Sequence, residues 1–170
     1  MRVSLYRSYR QGLRIIGCVD KVYPEDWQVD AFVGSNPKYY KNKWKEHPGK
    51  HYGGWNWVPF FFGLEWLAYR KMYKQAIIAF LIALVINLIL IFSPLHLDID
   101  GKLFSDTINI FFAFFGNGMY RKKLMANLKK TKDIKQAQQV LILKKKGGVS
   151  FISLVICLLF EAGLLVMMFM

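Results

Sequence analysis

The chain has 170 residues, of which 54% are hydrophobic and 16% aromatic, and it carries 24 Lys and Arg against 11 Asp and Glu. This composition excludes an intrinsically disordered chain, which contains too few apolar residues to form a core. The two cysteines, Cys18 and Cys157, lie far apart in the sequence and form no CxxC motif. A disulfide framework and a cysteine-based zinc or haem site are therefore excluded as well. We expect apolar helices that face lipid, combined with a strongly basic surface.

Residues 1–54 predict a basic cytoplasmic N-terminal headpiece. No strongly apolar run occurs before residue 55, so we expect no signal peptide. The first 19 residues carry arginines at helical spacing, a pattern typical both of a basic helix on anionic headgroups and of an ordinary solvated helix. The rest of this region is polar, with prolines, glycines and interleaved lysines and aromatics, which indicates short helices.

Residues 55–74 predict an aromatic helix that is interfacial or re-entrant, or that extends the helix after it. Their uncharged core is about half of the roughly 20 residues that a spanning helix needs. Trp and Tyr side chains prefer the level of the lipid headgroups, and the cations that follow would contact anionic lipid. The predicted contacts with a membrane interface or a partner are Trp55, Asn56, Trp57, Trp66, Tyr69, Arg70, Lys71 and Tyr73, together with Asn117 and Tyr120.

Three further segments resemble transmembrane helices. Residues 76–92 contain no charge and one polar side chain, Asn87. Residues 103–120 are a weaker candidate, because polar side chains dilute their apolar run. Residues 149–170 are long enough to span with some tilt, and Glu161 is their only ionisable residue. The sequence therefore predicts an all-α integral membrane protein with about three transmembrane helices.

The distribution of basic residues predicts how these helices are oriented. There are 13 Lys and Arg before the first predicted span, one in residues 93–106 and 10 in residues 120–148. Short loops rich in Lys and Arg stay in the cytoplasm. We therefore expect a cytoplasmic N-terminus, a basic cytoplasmic helix over residues 121–148 and a C-terminus on the outer side.

No motif predicts catalysis. The chain lacks GxSxG, HExxH and a glycine-rich phosphate loop, so we expect no enzyme, no catalytic residue and no cofactor. His47 and His51 have the spacing of metal ligands on a helix, but Pro48 and Gly49 between them argue against a helix there, and we expect no metal. The predicted topology explains the positive charge, so nucleic acid is not expected as a partner.

Glu161 is the candidate functional carboxylate. It lies midway along the last predicted span, where an ionised side chain is costly and is by default a functional hypothesis. It would bind a proton or pair with a basic side chain of a partner. The alternative is a protonated glutamic acid hydrogen-bonded to a neighbouring helix.

Several motifs together resemble one family. They are GGWNWVPFFFGLEWLAYRKMY at residues 53–73, AFVGSNPKYYKNKW at 31–44, GNGMYRKK at 116–123 and KKGGVS at 145–150. This combination resembles the DUF2628 family of small bacterial inner-membrane proteins, over residues 31 to about 150. Leu64 and Glu65 replace a commoner Gly-Pro pair, which indicates a milder bend near Gly63. The resemblance implies a bacterial inner-membrane location and supplies no catalytic residue.

These observations favour a non-enzymatic accessory or scaffold subunit of a larger membrane complex, anchored by its basic cytoplasmic segments. Three modest helices enclose little volume for a pore, and small residues along them permit close packing. The expected partners are anionic phospholipid and either an integral-membrane protein or further copies of the chain. Two alternatives stay open: a small oligomeric transporter or channel that uses Glu161, and a lipid binder at the membrane surface that uses the aromatic segment.

Overall fold

The computed structural model describes residues 23–48, 51–92 and 101–169. This part of the chain forms helices α1 (Asp26–Val33), α2 (Pro37–Glu46), α3 (Trp57–Phe61), α4 (Gly63–Tyr69), α5 (Tyr73–Phe92), α6 (Gly101–Lys130), α7 (Gln136–Lys146) and α8 (Phe151–Phe169). The basic helix predicted for the first 19 residues lies outside the described residues. So does most of the predicted external loop at 93–106.

One hydrophobic core joins most of these helices. It is formed by α1, α2, α4, α7 and the part of α6 from Phe112 onward, and α3 packs against α6. We call this assembly, including α3, the core unit. Its most deeply buried large side chains include Phe32, Trp44, Leu67, Tyr120, Leu124 and Leu143. Burying each such side chain contributes about 1.5–3 kcal/mol, so this burial holds the helices of the core unit together.

The end of α4 sets the direction of α5. Lys71 adopts the left-handed conformation with φ 56°. The backbone N–H of Met72 donates to the carbonyl of Leu67 at 2.7 Å, and the N–H of Lys71 donates to that of Ala68 at 3.0 Å. This pair of bonds is a Schellman motif, which satisfies carbonyls at the helix end and turns the chain. As a result, α5 begins two residues after Lys71.

Helices α5 and α8 run side by side in the same direction. The hydroxyl of Tyr73 lies 2.8 Å from that of Ser153, and the rings of Phe80 and Phe160 are 5.7 Å apart. Each helix advances seven residues between these two contacts, which is about two helical turns. The two helices are therefore parallel neighbours over that length.

The prediction of an integral membrane protein is wrong. Of the helices in the described ranges, none has the combination of length and apolarity that crossing a membrane requires. Residues 76–92, 103–120 and, within the predicted span 149–170, residues 151–169 are helical, but they are not transmembrane helices. The physical reason is clearest in α6, where Phe112, Tyr120 and Leu124 are buried in the core unit. A run of apolar residues does not by itself distinguish a face that meets lipid from a face that meets protein.

The aromatic segment at 55–74 is not one interfacial or re-entrant helix, as the sequence predicted, because it is not a single helix. It divides into α3 and α4, which meet at Phe62. Trp66 and Leu67 of α4 are buried in the core unit. The predicted boundary at residues 120 and 121 falls inside α6, which is continuous there. Tertiary packing of these helices overrides the local glycines and charges that suggested a break.

Candidate functional site

The side-chain amide of Asn117 joins three segments of the core unit. Asn117 is fully buried in α6. Its Nδ2 donates to the carbonyl of Gly54 at 3.1 Å and to the hydroxyl of Tyr39 at 3.2 Å, and its Oδ1 accepts from Nδ2 of Asn56 at 2.8 Å. Both ends of the amide are thus paired. A fully satisfied buried network of this kind fixes the relative positions of its members.

Glycines let the backbone approach Asn117 closely. A Cβ added to Gly118 would overlap the carbonyl oxygen of His51, and one added to Gly53 would meet the backbone of Asn117 and Gly118. Only glycine fits where two backbones come this close. The glycines of the GGW and GNG motifs therefore belong to one contact.

Two more long-range hydrogen bonds fasten α2 to α6. The indole N–H of Trp44 donates to the carbonyl of Asn117 at 2.9 Å. Nη1 of Arg121 donates to the carbonyl of His47, just after α2, at 2.9 Å. A cation at the carboxyl end of a helix also interacts favourably with the helix dipole. Helix α2 is therefore held rigidly beside the Asn117 network.

Arg70 lies in an aromatic cage at the end of α4. Its side chain is buried, with 6% of the residue exposed. The guanidinium carbon lies 4.8 Å from the ring centre of Tyr40, 5.3 Å from that of Tyr120 and 5.6 Å from that of Tyr69. Rings at these distances attract a cation through their negative faces. Among the described residues, no carboxylate lies within 4.0 Å of Arg70.

The hydrogen bonds of Arg70 are long and incomplete. Nη1 donates to the carbonyl of Val33 at 3.4 Å, and Nη2 donates to that of Ser35 at 3.5 Å. Nε is buried and has no hydrogen-bond partner among the described residues. A buried charge without a counterion is costly unless its donors are satisfied. The cage and the end of α1 therefore stabilise this cation only in part.

The tyrosines around Arg70 supply no negative charge. Burial raises the pKa of Tyr40 to about 12 and raises the pKa of Tyr120 well above its ordinary value. The positive charge of Arg70 opposes this rise, but its effect is smaller than that of desolvation. Both hydroxyls therefore stay protonated near neutral pH, and the site keeps its net positive charge.

A partly open cavity of about 320 Å³ lies against Arg70. Its aromatic lining comes from Tyr39, Tyr40, Trp55, Trp57, Trp66 and Tyr69. Lys43 and Arg70 are the cations in its wall, and no acidic side chain among the described residues lines it. The indole N–H of Trp55, a lining residue, is buried without a hydrogen-bond partner in the described structure. The volume is at the lower end of the range of small-molecule sites, which is roughly 300–1,000 Å³.

A second group of cations lies around the amino-terminal ends of α5 and α8. The ammonium of Lys123 donates to the carbonyls of Arg70 at 3.1 Å and Lys71 at 2.9 Å. Burial, followed by the positive charges of Lys71 and Lys146, lowers the pKa of Lys123 to about 8. The lysines at this position, which we call the lysine collar, are Lys71, Lys74, Lys123, Lys145 and Lys146.

The lysine collar is a region of uncompensated positive charge. The ion pairs between described residues join Lys41 and Lys45 of α2 to Asp26 and Asp30 of α1, and none includes a collar lysine. The backbone N–H of Ser150, the residue before α8, donates to the carbonyl of Tyr69, the last residue of α4, at 2.8 Å. Helix α8 therefore starts beside the end of α4. Both apolar helices therefore begin within the same positively charged surface.

Helices α5 and α8 expose large apolar side chains. Ile77 is 59% exposed and Ile89 62%, and in α8 the values reach 75% for Ile152 and 67% for Leu159. On the core unit, three aromatic side chains of the α3 segment are also exposed, namely Trp57, Phe61 and Phe62. Exposed apolar surface of this extent is characteristic of an interaction site.

The residues that the sequence singled out fall into three places. The cavity is lined by Trp55, Asn56, Trp57, Trp66, Tyr69 and Arg70, with Asn117 and Tyr120 in the packed layer behind it. Lys71 and Tyr73 lie at the origin of α5. Glu161 belongs to α8, and the cavity lining contains no described residue of that helix. The channel alternative assumed that Glu161 lies within a membrane-spanning helix, and that assumption has failed.

Sequence reasoning missed the contribution of α2. Tyr39, Tyr40 and Lys43 line the cavity, and Tyr40 forms part of the cage. These residues belong to the segment AFVGSNPKYYKNKW, which helped to carry the family resemblance but contributed no predicted site residue. The signal was the adjacent pair of tyrosines followed by Lys43 at a helical interval. Among the described residues, no cluster of three or more potential metal ligands occurs.

These features define a helical protein with a cationic, aromatic cavity and two exposed apolar helices. The sequence profile of DUF2628, a family described as proteins of unknown function, matches residues 3–125. The chain belongs to this family, which confirms the resemblance noted from its motifs. No curated protein and no solved structure matches it. The bacterial origin that the resemblance implied stays a prediction.

Proposed function

We propose that the protein is a non-enzymatic accessory subunit that binds anionic phospholipid through α5, α8 and the lysine collar, and that presents its core unit to a larger assembly. The observation that carries this proposal is that two parallel apolar helices leave the core unit through one positively charged surface. The apolar part would contact acyl chains, and the cationic part would contact phosphate.

The width of the apolar surface favours lipid over a single protein groove. Successive residues of a helix are about 100° apart. By this spacing, the exposed residues of α5 and of α8 each cover about half of the helix circumference. A helix that packs on a protein core uses an apolar stripe that is roughly 100° wide. A fluid apolar surrounding accommodates the wider surface without needing a partner of matching shape.

The charge at the origin of these helices favours anionic lipid over neutral lipid. A lysine near an anionic lipid surface contributes about 1 kcal/mol to binding. Lys74, Lys145 and Lys146 are exposed and have no acidic partner among the described residues. Their positive charges are therefore available to lipid phosphates.

Vesicle flotation tests the proposal. The purified full chain is mixed with vesicles of phosphatidylcholine, or of phosphatidylcholine with phosphatidylglycerol, and the bound fraction is measured at several salt concentrations. We expect stronger binding to the anionic vesicles, and this preference should fall as salt rises. Replacing Lys74, Lys145 and Lys146 by Gln is expected to weaken that binding about 100-fold at low salt.

A matched control removes three positive charges from a surface outside the lysine collar. Lys129, Lys130 and Lys132 are exposed near the start of α7, roughly 15 Å along its axis from Lys146. Replacing these three by Gln should leave vesicle binding within a few-fold of the original. Equal binding to neutral and anionic vesicles would contradict the proposal. A lipid-free oligomer that stays dispersed without detergent would assign the apolar surface to further copies of the chain, and would contradict it too.

A further inference from the structure

We infer that the cavity beside Arg70 binds a phosphate group carried on an apolar or aromatic body. The residues of its wall that carry side-chain N–H donors include Arg70, Lys43 and Trp55. This assignment goes beyond the proposed attachment to lipid, because it rests on the core unit and not on α5 and α8.

The first argument is the unbalanced charge of Arg70. The residue is more than nine-tenths buried and lines the cavity, yet it has no carboxylate within reach among the described residues. The surrounding tyrosines are neutral, and the two carbonyls that Arg70 reaches lie at 3.4 and 3.5 Å. A guanidinium with free donor capacity recognises phosphate particularly well.

The second argument is that two residues lining the cavity each carry a buried N–H donor that lacks a partner in the described structure. Nε of Arg70 and Nε1 of Trp55 are both buried and without a hydrogen bond in the described structure. Buried N–H groups are nearly always paired, and each one left unpaired costs free energy. Both residues line this cavity. A ligand that accepts hydrogen bonds would satisfy both donors.

The third argument concerns the sign and size of the ligand's charge. Among the described residues, two cations and no acid line the cavity, which suits a doubly charged phosphate monoester. Lys43 is half-buried, so its charge is screened less by solvent than that of a fully exposed lysine. The Arg70 and Lys43 side chains would bind the phosphate together.

The aromatic walls determine the rest of the ligand. The rings of Trp55 and Trp57 lie 5.2 Å apart at an interplanar angle of 77°, so they form a corner instead of a closed stack. Trp55 also contacts the ring of Phe60 at 5.4 Å. Such walls accept a flat or apolar group by stacking and by burial of surface. The ligand is therefore a phosphate with an apolar body, and it would be either a free organic phosphate or a lipid headgroup.

Titration calorimetry of the full chain in a phosphate-free, non-ionic detergent tests this inference. The probes are phenyl phosphate, inorganic phosphate, phenol and dihexanoyl phosphatidic acid. We expect saturable binding of phenyl phosphate with quenching of tryptophan fluorescence, weaker binding of inorganic phosphate and no binding of phenol. Tighter binding of phenyl phosphate than of the short-chain lipid would indicate a free organic phosphate, and the reverse order would indicate a lipid headgroup.

Conservative variants separate binding from folding. Trp55→Phe keeps a ring but removes an N–H that has no partner among the described residues, so the melting temperature should change little while the Kd for phenyl phosphate rises about 10-fold. Lys43→Gln should raise the Kd about 5- to 10-fold and reduce its salt dependence. Arg70→Lys keeps the charge but loses the planar fork, and it should abolish most of the binding.

Matched controls lie outside the cavity. Trp27→Phe removes an indole N–H that donates to Glu25 at 2.6 Å on α1, and Lys38→Gln removes an exposed charge from α2. Neither should change the Kd. Absence of phosphate-dependent binding to the folded chain would overturn the inference, as would equal binding by the Trp55→Phe and Lys43→Gln variants. No vesicle is used, so this outcome is independent of the lipid-attachment test.

Discussion

The core unit and the pair of helices α5 and α8 contain the same kinds of apolar residue but bury them to different extents. Leu67 and Leu124 in the core unit are completely buried, whereas Leu159 in α8 is 67% exposed. The core unit also contains buried polar groups with many hydrogen bonds, such as Asn117. The comparison shows that one part of the chain is stabilised by its own contacts, and that the other part presents its apolar side chains outward.

The largest difference between the core unit and the α5–α8 pair is expected when a leucine is truncated to alanine and the free energy of unfolding is measured. Leu67→Ala should lower the free energy of unfolding by about 2–5 kcal/mol, because it leaves a cavity in a packed core. Leu159→Ala removes the same atoms from an exposed position and should change it by less than about 0.5 kcal/mol. Chemical denaturation, followed by the fluorescence of the buried tryptophans, measures both. Equal effects would show that α8 packs into the core as tightly as α4 does.

The same substitution, glycine to alanine, is expected to lower the stability in the core unit but not in α8. Gly118→Ala places a methyl group against the carbonyl of His51, and should cost about 1–3 kcal/mol or more. Gly163 in α8 has no atom of the described residues within 4 Å of an added Cβ. Since alanine favours a helix by about 1 kcal/mol over glycine, Gly163→Ala should leave the melting temperature unchanged or slightly higher. A lower melting temperature for Gly163→Ala would show that another residue packs against that face of α8.

The smallest effect is expected at the junction of the two regions. Lys123 has a pKa of about 8 in the folded protein, below the ordinary lysine value of 10.5. Between these values the unfolded state binds more protons than the folded state, so the contribution of Lys123 to stability rises as pH increases from about 8 to about 10.5. Solvent screening of this half-exposed group reduces the gain to about 1 kcal/mol.

The measurement is the pH dependence of the free energy of unfolding. Wild-type protein is compared with Lys123→Met, so that the exposed lysines and tyrosines contribute equally to both curves. The wild-type stability should rise relative to that of the variant over this pH range. Parallel curves would mean that Lys123 is as well solvated as a surface lysine, and that the end of α4 is open to water.

The sequence located the two exposed helices closely but interpreted them wrongly. The apolar runs at 76–92, which has no charge, and 149–170, where Glu161 is the only ionisable residue, correspond to α5 and α8. A long apolar run without proline is a local property of the sequence. The break between α3 and α4 falls at Phe62, next to Gly63, near which the sequence indicated a bend. The continuity of α6 was missed, because the packing of Asn117 and its flanking glycines against other segments favours an unbroken helix there.

For the candidate site, too, the sequence located many of the residues but did not predict their arrangement. The Trp55–Tyr73 segment was singled out for its aromatic residues and cations, and many of them do line the cavity. The interpretation of these residues as an interfacial belt assumed that they lie on one helix, whereas the segment forms two helices, α3 and α4. The cage around Arg70 requires Tyr40 from α2 and Tyr120 from α6, which are 30 and 50 positions away in the sequence. No periodicity within one segment reports such a contact.

The sequence by itself determined the helical character of the described residues, the position of the apolar helices, the excess of positive charge and the family to which the chain belongs. These properties follow from composition, local spacing and motifs. Only the tertiary structure decided which apolar residues form a core, that Arg70 lies among three tyrosines with no carboxylate of the described residues beside it, and that α5 and α8 start at a common positive surface. Burial and charge compensation depend on residues that are distant in the chain, because folding brings them together.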